Sequence, residues 1–479
     1  MKEVLIIGGG VAGLSAGIFA QLSGFHATVC EQHAIAGGCL TAWERGGYHI
    51  DNCIHWLTGT NPHTDLYELW RDLGVLTGAD GEIYRRSALY TFVNGKDRMA
   101  LDRDIDALYA SMLALSPDDG KEITAFIKAV KVLQGVLGIA GKDHDEEIPL
   151  RRLVSSVPNL IKYYRLSLGE LSRRFRHPTL RHFFMSFLPE NFGVLGLLYV
   201  IANYCGASAD LPSGGSEQMA QRLIERFTSL GGTLLTGKKA VRLNTERRRA
   251  VSVTCADGDI LFADSFILTI DPARIFGALT DVKMPQMLRE RYRKLRRFSA
   301  YHCAFGVELE ELPFSGDVTL YIPQIYQKKM HARYLLIRND SHEKGYAPEG
   351  KSLVQVMVYC GEKTSRALIR ARAKDREKYT SFKNDTAAII EELLINQYPA
   401  LSGRLTLLDT WTPASYRRYV GSQIGSFMSF VLPSKYLPRE QGNEIRGLDN
   451  VRLAGQWLQP PGGLPIAALS GKHAVESLR

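Results

Sequence analysis

Three glycines and one glutamate carry the first chemistry legible in the chain. Gly8, Gly10 and Gly13 stand at GxGxxG spacing, and Glu31 follows eighteen positions after Gly13. This spacing suits a dinucleotide. Gly8 lets the chain leave a strand in a sharp turn, Gly10 lets backbone N–H groups approach a pyrophosphate, and Gly13 lets a helix pack closely on a strand. Val11 and Ala12 lie between them at the helix start, where unpaired N–H groups and a partial positive charge favour phosphate. Glu31 is placed to accept hydrogen bonds from the adenosine ribose hydroxyls. Its charge would repel a 2′-phosphate, so NADP is disfavoured and NAD and FAD remain.

Those residues need a strand, a helix and a second strand to hold them, and the sequence supplies all three in order. Residues 4–7 are an apolar, mostly β-branched run, as expected of a strand buried on both faces. Residues 14–22 are rich in Ala and Leu and read as a helix ended near Ser23-Gly24. Residues 25–30 form the second strand, with Glu31 at its end. A lone GxGxxG is a weak signal; this succession is much more specific.

The remaining composition bounds the rest. At 479 residues the chain exceeds a usual single domain, so two domains are expected. Hydrophobic residues make up 45% and charged residues 23%, an ordinary globular balance. The longest apolar candidate, residues 192–204, is too short to span a bilayer and contains Gly and Asn. The first strand begins at once, which leaves no room for a cleavable signal. Seven cysteines without paired spacing argue for free thiols in a reducing, cytoplasmic setting. Cys39 and Cys53 lack the spacing of a zinc site, and no metal is expected. The net charge of +9 comes with no nucleic-acid motif, so no nucleic-acid partner is expected.

The continuation from Glu31 is E-x5-GG, with Gly37 and Gly38, then RGGYHID and IHWLTG. This run resembles the flavin-dependent amine oxidase superfamily. It is most similar to the branch of bacterial phytoene desaturases, carotenoid isomerases and retinol saturases. The resemblance implies an α/β fold: a Rossmann-type FAD-binding domain of glutathione-reductase-like or amine oxidase-like build, with a discontinuous mixed α+β substrate domain. It assigns residues 1–75, 208–285 and 420–479 to the first, and 76–207 and 286–419 to the second. It also implies that Gln32, Gly37, Gly38 and Cys39 join the glycine turn and Glu31 around FAD. Many relatives carry Arg after the double glycine where this chain has Cys39. The middle segment, 210–270, resembles the family's second FAD segment, in which the residue matching Val241 contacts the adenine through its backbone. The last segment, NVRLAGQWLQPPGGLPIAALSGKHAVESLR, reads as a strand, a turn at Gly455 and a helix opening after Gly463 at Leu464 and Pro465. In the family that helix points its N-terminus at the flavin's pyrimidine edge, where it stabilises negative charge. Gln456 stands where amine oxidase relatives have Asp; it can hydrogen-bond the pyrophosphate or ribityl region.

His55 is the candidate catalytic residue, because its segment lies by the flavin in relatives. A neutral imidazole there can shuttle a proton, bind a polar substrate end, or simply hold its loop. Trp56 and Trp457 are candidates to wall an apolar pocket. No second GxGxxG unit marks a nicotinamide site. The expected activity is oxidoreduction at carbon–carbon bonds of an apolar, isoprenoid-like small molecule: desaturation, saturation or cis–trans isomerisation. Two other readings remain. One is an amine or amino-acid oxidase; the other is a non-catalytic lipid carrier of the GDP-dissociation-inhibitor type. Residues 151–187 hold eight Lys or Arg and one acid among interleaved aromatics. That bias suits either peripheral contact with the inner face of an anionic membrane or solvated helix faces of the second domain, and the second is favoured.

Overall fold

The computed structural model describes residues 2–139, 160–436 and 442–479. The polar stretch 141–147 and the first part of the basic run, 151–159, lie outside the described residues.

The N-terminal strand Glu3–Ile7 is central to a six-stranded sheet. Val4, Leu5, Ile6 and Ile7 are all buried, as an apolar run covered on both faces requires. On one side it pairs in parallel with His26–Cys30 and then Thr233–Leu235; on the other with Ser265–Leu268 and then Leu448–Leu453. The short strand Glu444–Ile445 closes the edge in the antiparallel sense. The sheet is thus assembled from the beginning, the middle and the end of the chain. The order reverses at Glu3–Ile7, and a crevice opens outside the carboxyl ends of the strands at such a switch point.

The first helix, Val11–Leu22, is buried almost all round. Small residues permit this. A Cβ on Gly13 would meet the Gly8 carbonyl oxygen at 1.8 Å, and one on Gly17 would meet Phe227 at 2.7 Å. The C-terminal helix Leu464–Glu476 packs along it through Gly471, whose added Cβ would stand 2.5 Å from the Ala12 carbonyl oxygen. Ser15 Oγ donates to the Ala468 carbonyl across the same contact, at 2.7 Å.

A seven-stranded sheet forms the second layer system, in the order Leu405–Trp411, Phe298–Val307, Ser352–Gly361, Tyr334–Asn339, Val318–Tyr321, Ala88–Asn94, Asp97–Asp102. All its pairings are antiparallel except Val318–Tyr321 with Ala88–Asn94. One face packs on the helix Arg376–Gln397 through Ile390 and Leu394. The other faces a group of helices between residues 105 and 205, whose core includes Phe126, Phe183, Phe184 and Leu198. The apolar members of the basic run, Leu171, Phe175, Leu180 and Phe184, belong to this core. Arg173, Arg176 and Arg181 remain at the surface. Among the described residues no helix is long and apolar enough to cross a membrane.

Candidate functional site: a cradle of two uncapped helices opening on an apolar chamber

Both helices from the chain's ends start without a side-chain cap. Gly10 precedes the first helix and Gly463 the C-terminal one, and neither glycine has a side chain to cap the N–H groups that follow it. Other helices are capped, by Thr64, Asp104, Ser167 and Thr412. An uncapped helix start presents free N–H donors and about half a unit of positive charge. Here both open on one cavity of about 810 Å³, with Val11 and Ala12 on one wall and Leu464, Pro465 and Ile466 on another.

The glycine turns hold this cradle. Gly8 has φ +108 and Gly455 φ +120. Gly37 bridges to Gly10, with its N–H donating to the Gly9 carbonyl at 2.8 Å, and Gly38 lies so close that a Cβ would be 3.0 Å from Gly10 Cα. Thr269 ties the end of the middle strand to this turn, its hydroxyl donating to the Ile7 and Gly8 carbonyls. Gly463 has φ +95, and a Cβ there would meet nothing within 4 Å: the turn faces open space.

Of the sequence candidates, Gly8, Gly10, Val11, Ala12, Glu31, Gln32, Gly37, Gly38, Cys39, His55, Gly455, Gln456, Gly463, Leu464 and Pro465 all line this one cavity. Gly13 lies behind it, packed on Gly8. Glu31 is buried. Its Oε2 accepts from Gly9 N at 2.8 Å and its Oε1 from His33 N at 3.0 Å. Each oxygen keeps a lone pair for a ligand hydroxyl. Gln32 reaches the Tyr419 carbonyl. Burial pushes the Cys39 thiol up to about 12, so it stays neutral and unreactive.

Two expected contacts are placed with added detail. Val241 is not in the cavity wall. It is 39% exposed, and the wall there consists of Lys238, Lys239 and Ala240, one step earlier along the strand. Gln456 lines the cavity but spends part of its amide on the fold. Its Nε2 donates to the Phe427 carbonyl at 3.1 Å and its Oε1 accepts from Gly463 N at 3.2 Å, so it braces the turn before the C-terminal helix.

Beyond the cradle the cavity becomes apolar. Trp56 packs on Phe187 (centroids 5.2 Å apart), and Phe187 stacks on Tyr90 at 5.5 Å. Met357, Leu336, Phe427 and Leu432 also line it. Trp457 forms part of the wall, stacked on Tyr292 and edge-on to Phe430.

His55 sits between the two regions. Its segment is fixed from several sides. Asp51 accepts from Cys53 N and from the Ser216 N–H and hydroxyl; Ser216 Oγ in turn accepts from Ile54 N. Arg86 Nη2 donates to the His55 carbonyl at 2.6 Å while its Nη1 pairs with Asp317 at 2.5 Å. Burial holds the His55 imidazole well below its ordinary range, and the charges of Arg338 and Arg86 add to the effect. The ring is therefore neutral, and it makes no hydrogen bond to a described residue. Below it Arg338 pairs with Asp340 at 2.8 Å, and His302 stacks on Trp411 with its Nε2 3.2 Å from the Tyr416 hydroxyl.

The residues that sequence reasoning missed are Arg86, Arg274, Asp317, Arg338, Tyr359 and Ser426. Most sit singly on strands or turns far apart in the chain, so no spacing announces them. Arg274 lines the cavity next to Gly421 and pairs with no described acid. Ser426 Oγ is buried in the wall without a partner among the described residues.

Comparison with known proteins now decides the family. A family model described as flavin containing amine oxidoreductase matches residues 11–478. The chain belongs to this family. Its flavin fits the cradle: two uncapped helix starts, a glycine turn facing open space, and a serine hydroxyl and a guanidinium without partners among the described residues surround one cavity. Among curated proteins, prolycopene isomerase of Arabidopsis thaliana is 22% identical over 98% of this chain and 81% of its own length. The 4,4'-diaponeurosporene oxygenase of Staphylococcus haemolyticus is 21% identical over 100% of this chain and 97% of its own. Among solved structures, an oxidoreductase from Methanosarcina mazei superposes with TM-score 0.65 at 17% identity, covering 99% of this chain and 100% of that one. Cyclohexylamine oxidase from Brevibacterium oxydans gives 0.59 at 14%, covering 100% and 98%; both share this chain's fold.

Proposed function

We propose that the chain binds FAD and acts on carbon–carbon bonds of an apolar, isoprenoid-like substrate by desaturation, saturation or isomerisation. One observation carries this reading. Two uncapped helix starts from opposite ends of the chain open on a cavity that runs on into an aromatic and aliphatic chamber. FAD rather than a shorter flavin is supported by the buried Glu31, placed for an adenosine ribose, and by the Arg274 guanidinium in the same lining. When bound, the cofactor supplies hydride acceptance or donation.

The chain's own residues do the rest. The starts of the C-terminal and first helices stabilise negative charge along the cavity. Gln456 holds the Gly463 turn in place. The wall of Trp56, Phe187 and Met357 excludes water and orients a flat apolar chain. His55, neutral and free at both ring nitrogens, can hold or move one proton near the junction of the two regions. The names of the relatives, a prolycopene isomerase and a diaponeurosporene oxygenase, support a polyene. Among the described residues, both aspartates of the lining are engaged, Asp317 by Arg86 and Asp271 by the Tyr292 hydroxyl and Gln423 N, which favours the hydrocarbon reading over an amine.

Release of the cofactor from purified protein identifies it, and FAD is expected. Anaerobic incubation with polyenes, amines and NAD(P)H then tests the substrate class. Bleaching of the flavin by an amine but by no polyene overturns the proposal. A colourless protein with no releasable flavin favours a carrier instead.

We also propose peripheral membrane contact at the chamber's helical side. Exposed Val136 and Ile161 adjoin Leu133 and Leu160 of the cavity wall, Tyr199 is both exposed and lining, and Arg165, Arg173 and Arg181 are at the surface of the same helical group. Co-sedimentation with vesicles containing anionic lipid at low salt is expected; its absence removes this part.

A further inference from the structure

Tyr359 is a polar group in the wrong surroundings for a site that holds only hydrocarbon. It lies on the strand Ser352–Gly361, two residues from Met357 and on the same face, and both line the chamber. Across the strand pairing, Met357 faces Leu336, another lining residue. The Tyr359 ring is held edge-on against Phe298 at 5.5 Å and lies beside Phe427 at 6.4 Å. Burial raises its hydroxyl pKa above the ordinary value, with no charged neighbour contributing. The hydroxyl is therefore a neutral donor in the whole accessible pH range, and no described residue accepts from it.

Five buried or half-buried tyrosines nearby engage theirs, while Tyr163, deep in the helical core, does not. Tyr90, also in the chamber wall, turns its hydroxyl to the Ser186 hydroxyl and the Phe183 carbonyl. Tyr204 donates to the Arg86 carbonyl, Tyr301 to the Met330 carbonyl and Tyr416 to Asn52. Tyr334 meets His182 Nδ1 at 2.9 Å. Tyr359 alone of this set projects an unanswered donor into the cavity. Met357, Leu336 and Phe427, which line the cavity with it, offer no side-chain oxygen. A donor without an acceptor is costly in such surroundings, whereas a ligand oxygen would satisfy it.

We infer that the substrate is not a plain hydrocarbon: it carries an oxygen function, a hydroxyl or a carbonyl, that accepts a hydrogen bond from Tyr359. The position sets which end this is. Phe427, next to Tyr359, gives its carbonyl to Gln456, the brace of the C-terminal helix turn. The oxygen is thus bound where the chamber meets the cradle, and the hydrocarbon tail runs toward Phe187 and Trp56. This inference rests on the apolar-substrate reading above and sharpens it to an amphiphile. Tyr359 is a specificity-determining residue here, not a proton carrier.

The test uses the flavin-loaded protein and three C20 probes of one skeleton: geranylgeraniol, geranylgeranial and the matching hydrocarbon. Binding is read by quenching of tryptophan fluorescence, to which Trp56 in the wall contributes. The oxygenated probes are expected to bind about tenfold tighter than the hydrocarbon, a difference of about 1.4 kcal/mol. In Tyr359→Phe that preference should vanish, with the hydrocarbon affinity and the flavin content unchanged. Equal affinity of all three probes in the unmodified protein overturns the inference while leaving the apolar-substrate reading intact. So does a preference that survives in Tyr359→Phe. Failure of every probe to bind a flavin-loaded protein overturns both.

Discussion

Replacing Gly471 by alanine tests whether the two ends of the chain form one cradle. Gly471 lies in the middle of the C-terminal helix, where it crosses the first helix. An added Cβ would stand 2.5 Å from the Ala12 carbonyl oxygen, 2.8 Å from Ala16 N and 3.0 Å from Ser15 Cβ. Ordinary contact begins near 3.4 Å, so the helices must part by about 0.9 Å at this point. Two effects compete. Alanine favours a helix over glycine by about 1 kcal/mol. Overpacking costs about 1 to 3 kcal/mol, and the upper end applies where the obstructing atoms are backbone. The net expectation is a loss of about 2 kcal/mol. The same displacement moves Ala12, in the first turn of one helix, relative to the start of the other, so FAD should bind about tenfold more weakly. Thermal unfolding of the apo and loaded protein and fluorescence titration of the deflavinated protein with FAD measure both effects. Glu476→Ala, at an exposed position of the same helix, is the control. If Gly471→Ala melts higher and binds FAD as before, helix propensity has won, and the close crossing on which this reasoning depends is refuted.

Three further outcomes follow from the site. His302 is held down to about 3 by burial, with the Arg338 charge adding, against 6.5 for a free imidazole. Its folded pKa is the lower one, so the unfolded chain takes up the proton first. Stability is full above pH 6.5, drops by about 2 kcal/mol between pH 6.5 and 4.5 for this one residue, and goes on falling toward pH 3. Urea unfolding across that range should show a shallower slope in His302→Asn, and an unchanged slope would contradict the assignment. Arg274→Ala should weaken FAD binding about tenfold and reduce its salt dependence while leaving riboflavin affinity unaltered, with Arg274→Lys intermediate. An equal loss for both ligands would show that Arg274 does not meet the phosphate end. Arg86→Met removes one partner of a pair with side chains only 8% and 16% exposed, and it frees the His55 carbonyl. A destabilisation of about 3 kcal/mol in denaturant titration is expected; a change under 1 kcal/mol would mean that water already reaches Asp317.

Much of the cradle was legible in the chain because its demands are local. A glycine at positive φ, a strand that must be apolar on both faces and a helix that must begin without a cap each leave a mark within a few residues. Gly8, Gly37 and Gly463 could be named for that reason. Gln456 shows where local reasoning stops. Its type and position suggested a ligand contact, and nothing local showed that its amide also braces Phe427, 29 residues away, and Gly463.

The tertiary structure alone decided the chamber. Tyr359, Arg338 and Asp317 stand on or beside different strands of one sheet, and Arg86 comes from a segment more than two hundred residues earlier. Strand register brings them together, and register is a property of the assembled sheet that no single stretch encodes. The reach of Gly471 onto Ala12 is likewise invisible in either helix by itself, since each shows only a small residue in a helical run. The sequence by itself determined that a dinucleotide-type turn opens the chain and a proline-started helix closes it. Only folding determined that the two helix starts face one cavity, because their partial charges become a binding site through proximity in space and not through order along the chain.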